Sequence, residues 1–275
     1  MYGSDRRGSH HPPVTAYSIW NEKHGVRLEG YNAQKASFAR RIDVKQIGHA
    51  ILHLDKYNEY YLITLPSLHI EGLITGSPFV ELNKSTYITS STGYTAKIDY
   101  SGRGWLSGKK NSFSASLYPT GREKEALYTV EGQWNADFTI KDTNGKHGTV
   151  VDSWEHKKNK TTPLQVAPIE QQDPMESRRA WSKVAAAMKT NDLNTVQAEK
   201  SLIENRQREL RRTEKEGGKE WERIFFNRVE KYPHFEVLAS KIGESIDAEK
   251  TNGVWAFDET KAKTVKPPYR PGAMP

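Results

Sequence analysis

No cysteine occurs in the 275 residues. Disulfides, thiolate metal ligands and thiol nucleophiles are therefore excluded together, and the chain suits a reducing compartment. Long apolar runs are missing as well. Nothing approaches the roughly 18 residues of a helical membrane span, and the residues ahead of Ser9 lack the charged-then-apolar pattern of a secretory leader. Asn83-Lys84-Ser85 and Asn159-Lys160-Thr161 fit the glycosylation acceptor pattern, but without a route to the secretory pathway they are expected to stay unused. Apolar residues make up only 35% of the chain and the mean hydropathy is −0.80, so one or more segments must be solvated. Enzyme motifs are absent too: there is no His-Glu-x-x-His, no Gly-x-Ser-x-Gly and no dinucleotide fingerprint. The stretch Gly102 to Lys110 fails as a phosphate loop, because five residues separate Gly102 from Gly108 and Lys110 follows Lys109 where Ser or Thr is needed. No enzyme activity, no cofactor and no metal site are expected.

What the chain does carry is positive charge, a net +7. That favours an anionic partner, nucleic acid or an anionic membrane surface, and composition alone does not choose between them. From Val14 to about Val151 the apolar period is mostly two, with β-branched and aromatic enrichment and frequent turn signals. Val14 to Trp20 and Val26 to Tyr31 flank Asn21–Gly25 as a hairpin. Further strands are expected at 49–54, 60–65, 87–89, 95–100, 112–118, 127–134 and 137–141, an antiparallel series able to curl into a barrel. After Asp173-Pro174 the period becomes 3.6. One helix is expected over Glu176 to Met188 and a longer one from Asn194 to about Lys215, ended by Gly217-Gly218. The Lys- and Pro-rich stretch from Lys261 to Pro275 reads as extended chain.

The most informative local feature is Ser9-His10-His11-Pro12-Pro13, where two adjacent imidazoles are followed by two φ-locked prolines. Imidazole N–H groups can donate to a phosphate and become cationic beside it. Structural histidines are the competing and commoner outcome. Adjacent strand residues point to opposite faces, which argues against a shared metal. This pentapeptide resembles the end of the oxysterol-binding-protein fingerprint. The likeness continues, in the family's order, through Gly93 to Tyr100, Gly104 to Asn111, Glu131-Gly132-Gln133-Trp134, Glu176 to Trp181 and the run around Ile203 to Arg208. Two departures stand out. Arg6, Arg7 and Gly8 replace the Glu-Gln-Val that opens the fingerprint, and the chain resembles only about the C-terminal two thirds of the lipid-binding domain.

The resemblance implies an α+β fold, an antiparallel β-barrel-like sheet, incomplete relative to the family, followed by C-terminal α-helices. Its expected divisions are an atypical segment 1–8, a barrel portion 9–156, a linker 157–173, a helical portion 174–260 packing on the barrel, and a basic tail 261–275. It implies lipid binding and transfer between membranes, with phosphatidylinositol 4-phosphate recognised at the barrel mouth and exchange for a sterol as the fuller form of that activity. A shortened, inactive or structural relative without sterol transfer is the alternative. The headgroup residues it implies are His10, His11, Lys200, Glu204 and Arg208. Lys200, Glu204 and Arg208 stand at i, i+4 and i+8 on one helical face, and by themselves read as two ordinary surface ion pairs. A further headgroup lysine, which the family supplies ahead of the fingerprint, has no counterpart. The expected partners are the phosphoinositide, a sterol and anionic membrane surfaces, with no nucleic acid, and the expected location is cytoplasmic and peripheral to membranes.

Overall fold

The computed structural model describes residues 14–38, 41–73, 76–102, 109–143, 148–151, 165–219, 222–242 and 253–274. His10 and His11 lie outside them. The chain forms two compact units, one comprising Met1–Lys160 with Phe226–Phe257 and the other Thr161–Phe225 with Asp258–Pro275.

The first unit is built on an 11-stranded antiparallel sheet: β1 (Val14–Asn21), β2 (Val26–Phe38), β3 (Ile42–Leu54), β4 (Glu59–Thr64), β5 (Ser67–Glu71), β6 (Phe79–Ser90), β7 (Tyr94–Tyr100), β8 (Ser112–Pro119), β9 (Tyr128–Gln133), β10 (Phe138–Asp142) and β11 (Gly148–Val151). The order is sequential except that β4 and β5 share one position between β3 and β6. Pro66, which has no N–H to give to a ladder, sits at the break between them. The gap is bridged by side chains: Gln46 Nε2 donates to the Pro66 carbonyl at 2.8 Å, and the Tyr87 N–H donates to the Thr64 hydroxyl at 2.8 Å. Among the described residues β1 and β11 are edges that do not pair with each other, so the sheet is barrel-like and not closed. The first hairpin turns as its composition predicts, through Glu22–His24, with the Asn21 side chain accepting from the His24 N–H and Gly25 at φ 61°.

Cross-strand register fixes which side chains share a face. On one face Ala16, Tyr31 and His49 stand side by side, and Ile51, Leu62, Thr89, Thr95 and Tyr118 continue the layer to β8. All eight are buried. Their cover comes from late in the chain: strands β12 (Phe226–Val229) and β13 (Val254–Phe257) pair with each other, and a helix over Pro233–Ala239 places Phe235 on His49 with ring centroids 4.2 Å apart and His234 on Tyr60 at 3.7 Å. Part of the stretch expected to be helical thus returns as strands and joins the sheet's unit.

Burial lowers the His49 pKa to about 3, so the ring is neutral in the folded protein near pH 7. Unfolded, it titrates near 6.5. Below that value the unfolded chain binds a proton that the fold refuses, and stability falls by up to about 1.4 kcal/mol per pH unit. Between pH 7 and pH 5 the wild-type chain should therefore lose about 2 kcal/mol more than His49→Gln in urea unfolding. Equal losses would assign the slope to other groups, such as His234, whose pKa is lowered by burial and by His53.

In the second unit, α1 (Ser177–Ala180) and α2 (Ser182–Lys189) replace the single helix expected over Glu176 to Met188. The break falls at Trp181, φ −104°, ψ 12°, where the Ser182 hydroxyl takes the Arg179 carbonyl and competes with the helical ladder. α3 (Leu193–Glu216) agrees with its expected span. Asp192 caps its start by accepting from the Thr195 N–H at 3.1 Å, and Gly218 at φ 61° ends it. With the Pro233–Ala239 helix as α4, α5 is Glu259–Thr264, capped by Asp258. The stretch read as extended thus opens in a helix, since a capping aspartate outweighs the Lys- and Pro-rich composition around it. It then binds back onto α3. Arg206 donates to the Gly272 carbonyl, Gln207 to the Ala273 carbonyl at 3.0 Å, and Arg270 pairs with Glu214.

Candidate functional site

The other face of the sheet is largely apolar; Gly30, Ala50 and Thr86 on it are buried, and its aliphatic side chains from β4 to β10 are partly exposed. Register places Tyr17, Gly30, Ala50, Ile63, Ile88, Ala96, Leu117 and Tyr128 in one continuous row across β1, β2, β3, β4, β6, β7, β8 and β9. A parallel row joins Ile98, Ala115, Val130 and Ile140 across β7 to β10. Ile63, Ile88, Ala96, Ile98, Ala115, Leu117, Val130 and Ile140 are all intermediate in exposure, neither sealed nor free. Side chains point to alternate faces of a strand, so the same strands bury one layer in the core and offer a second, greasier one. Tyr17 lies at the β1 end of the row, where only glycine leaves it room: a Cβ on Gly30 would meet its hydroxyl oxygen at 2.6 Å. Burial raises the pKa of that phenol.

The residues expected to hold a headgroup fall in two groups. His10 and His11 lie outside the described residues. Lys200, Glu204 and Arg208 stand on consecutive turns of α3 as the spacing requires, with Glu204 between the cations. Its Oε1 is 3.7 Å from Lys200 Nζ, its Oε2 3.4 Å from Arg208 Nη2, and Arg208 Nη1 also donates to Asn205 Oδ1 at 3.0 Å. All three side chains remain open to solvent. One carboxylate thus orients two cations at once without neutralising both. Beside Arg208 a shallow recess of about 290 Å³ is lined by Asn205, Arg208, Glu209 and Arg212. Among the described residues no group of His, Asp and Glu is arranged to hold a metal ion. The apolar rows were not singled out from sequence, although strict alternation in Ser112-Phe113-Ser114-Ala115-Ser116-Leu117 carried the signal.

A large antiparallel sheet that buries one face under its own C-terminal segment and keeps the other apolar and half-open defines an α+β domain with a face left over for something apolar. The family is given by sequence: the oxysterol-binding protein model matches residues 7–191, and the chain belongs to that family. The match includes His10 and His11 and stops short of Lys200. Among curated relatives, "Probable transporter efuK" of Hormonema carpetanum is 38% identical over 271 residues, covering 97% of this chain and 39% of its own length. "Protein kes1" of Schizosaccharomyces pombe is 45% identical over 253 residues, covering 90% of this chain and 64% of its own length. The chain therefore spans less than two thirds of either. In structure it is similar to the Osh1 ORD domain solved with ergosterol, with TM-score 0.69 at 18% identity over 93% of this chain and 63% of that one. It is also similar to the Saccharomyces cerevisiae Osh3 ORD solved with PI(4)P, with TM-score 0.61 at 19% identity over 82% of this chain and 61% of that one. At these identities the likeness is one of fold. No helix among the described residues is long and apolar enough to cross a membrane.

Proposed function

We propose that this chain binds a membrane lipid and carries it between membranes, acting as a peripheral protein on cytoplasmic membrane surfaces. The observation that carries the reading is the half-open apolar row from Ile63 to Tyr128. A lipid tail laid on such a face leaves water at about 0.8 kcal/mol per buried methylene, which no soluble polar ligand would gain. The headgroup assigned is phosphatidylinositol 4-phosphate, bound by His10 and His11 as imidazole donors, by Lys200 as a point charge and by Arg208 as a planar fork, with Glu204 holding both cations in position. No bond is made or broken in this activity. Exchange of the phosphoinositide for a sterol is the finer form of the proposal.

The test is to incubate the chain with liposomes of mixed lipids, repurify it and identify the bound species by mass spectrometry. Phosphatidylinositol 4-phosphate should be enriched over its share of the liposomes. Recovery of lipid-free protein only would overturn the reading. The same experiment addresses the second reading, an inactive or structural relative without sterol transfer, which is favoured by β1 pairing only with β2 among the described residues. On that reading sterol is retained far below one per chain. Cholesterol co-purifying stoichiometrically would sink it.

A further inference from the structure

Five of the six cations of α3 share one face, Arg206 being the exception. At about 100° per residue, Lys200, Arg208, Arg211, Arg212 and Lys215 fall within an arc of roughly 120°, and Glu204 is the one acid among them. The remaining acids of the helix point elsewhere and are engaged: Glu199 with Lys183, Glu209 with Arg206, Glu214 with Arg270, and Glu216, at the margin, with Arg212. Arg211 and Lys215 are exposed and have no ion pair among the described residues. An independent feature lies on the same line. Leu193, within about 20° of Lys200 around the axis, is 69% exposed at the N-terminal end of the stripe, and across the α2–α3 turn Met188 is 65% exposed. Two large apolar side chains are thus exposed beyond one end of a basic face that runs for about 22 Å.

We propose that this face of the α2–α3 hairpin docks on an anionic lipid bilayer, with Arg211, Arg212 and Lys215 over the headgroups and Met188 and Leu193 entering the interface. This deepens the lipid-transfer reading and rests on it: the helix that offers Lys200 and Arg208 to a headgroup would be the one that meets the membrane surface. Basic residues near an anionic surface attract it additively, and short apolar side chains fit the boundary between headgroups and acyl chains. A nucleic acid would meet the same charge. It is disfavoured because α3 carries no aromatic side chain on which bases could stack.

The experiment is co-sedimentation with vesicles of phosphatidylcholine alone and of phosphatidylcholine with phosphatidylserine, both free of phosphoinositide. The wild-type chain should bind the phosphatidylserine vesicles, weaken steeply as salt rises, and ignore phosphatidylcholine. Arg211→Ala, Arg212→Ala and Lys215→Ala combined should lower that partitioning on the order of a hundredfold. Leu193→Ser with Met188→Ser should lower it about tenfold at any salt concentration. All five positions are exposed, and a thermal melt matching wild type checks that each variant is folded. The triple variant should still bind short-chain soluble phosphatidylinositol 4-phosphate. If the wild-type chain fails that soluble lipid yet binds phosphatidylserine vesicles, the headgroup assignment falls and the docking face stands. Equal vesicle binding by the triple variant and wild type overturns the docking face, as does a wild-type chain that binds duplex RNA and no vesicle.

Discussion

Alanine at both His10 and His11 should lower the affinity for phosphatidylinositol 4-phosphate at least tenfold, and Arg208→Ala should do the same from the other end of the sequence. On the proposed assignment each substitution removes a donor to a doubly charged phosphate, a contact worth roughly 1.5–3 kcal/mol, and about 1.4 kcal/mol is a factor of ten. Arg208→Lys should fall between wild type and alanine, because an ammonium keeps the charge and loses the fork. Glu204→Gln tests a different step. It removes no ligand contact, but it frees Lys200 and Arg208 from the carboxylate that now lies 3.7 Å and 3.4 Å from them. Its loss should therefore be smaller than that of Arg208→Ala. Calorimetry with a soluble short-chain lipid measures all four without a membrane. Lys200, Glu204 and Arg208 are solvent-open, so the α3 variants should melt as wild type does. A His10→Ala, His11→Ala protein that binds as tightly as wild type would refute the assignment.

How much of this was legible in the sequence depends on which physical signal each part leaves. The α3 stripe was legible because i, i+4, i+8 spacing is a local property of a helix: Lys200, Glu204 and Arg208 share a face whatever α3 packs against. Nine of the ten strands from β1 to β10 were legible, though β2, β3 and β6 run longer than their apolar cores, since pairing with a neighbour extends a ladder through polar residues such as Gln34, Lys35 and Gln46. β5 escaped notice because five residues beside Pro66 give too short a period. β12 and β13 escaped for another reason. Phe226 to Val229 and Val254 to Phe257 are strands only because they find each other across 24 intervening residues, and no local pattern announces such a partner. Which face of the sheet is core was equally hidden. Both faces alternate, and the choice is made by α4 and Phe235 settling on His49.

That choice gives opposite outcomes to similar substitutions on the two faces. Leu62 is fully buried, 0% exposed, so Leu62→Ala leaves a cavity and should cost about 2–5 kcal/mol of folding stability. Leu117 lies on the other face and is already half-open to its surroundings. Leu117→Ala gives up only part of a transfer term and leaves no sealed void, so it should cost less than about 1.5 kcal/mol. For ligand the order reverses. A face that keeps Ile63, Ile88, Ile98, Leu117 and Val130 half-exposed should bind a hydrophobic dye in lipid-free protein and favour association between chains, and a bound lipid should suppress both. Ile98→Ser with Val130→Ser should then reduce dye binding and lipid uptake several-fold while the protein still melts cooperatively. Leu62→Ala should lower the melting temperature and leave uptake per folded molecule unchanged. Thermal melts read beside dye titrations and light scattering separate these outcomes. If Leu117→Ala destabilises as much as Leu62→Ala, and the lipid-free chain is a monomer that binds no dye, the second face is ordinary core and the lipid must bind elsewhere.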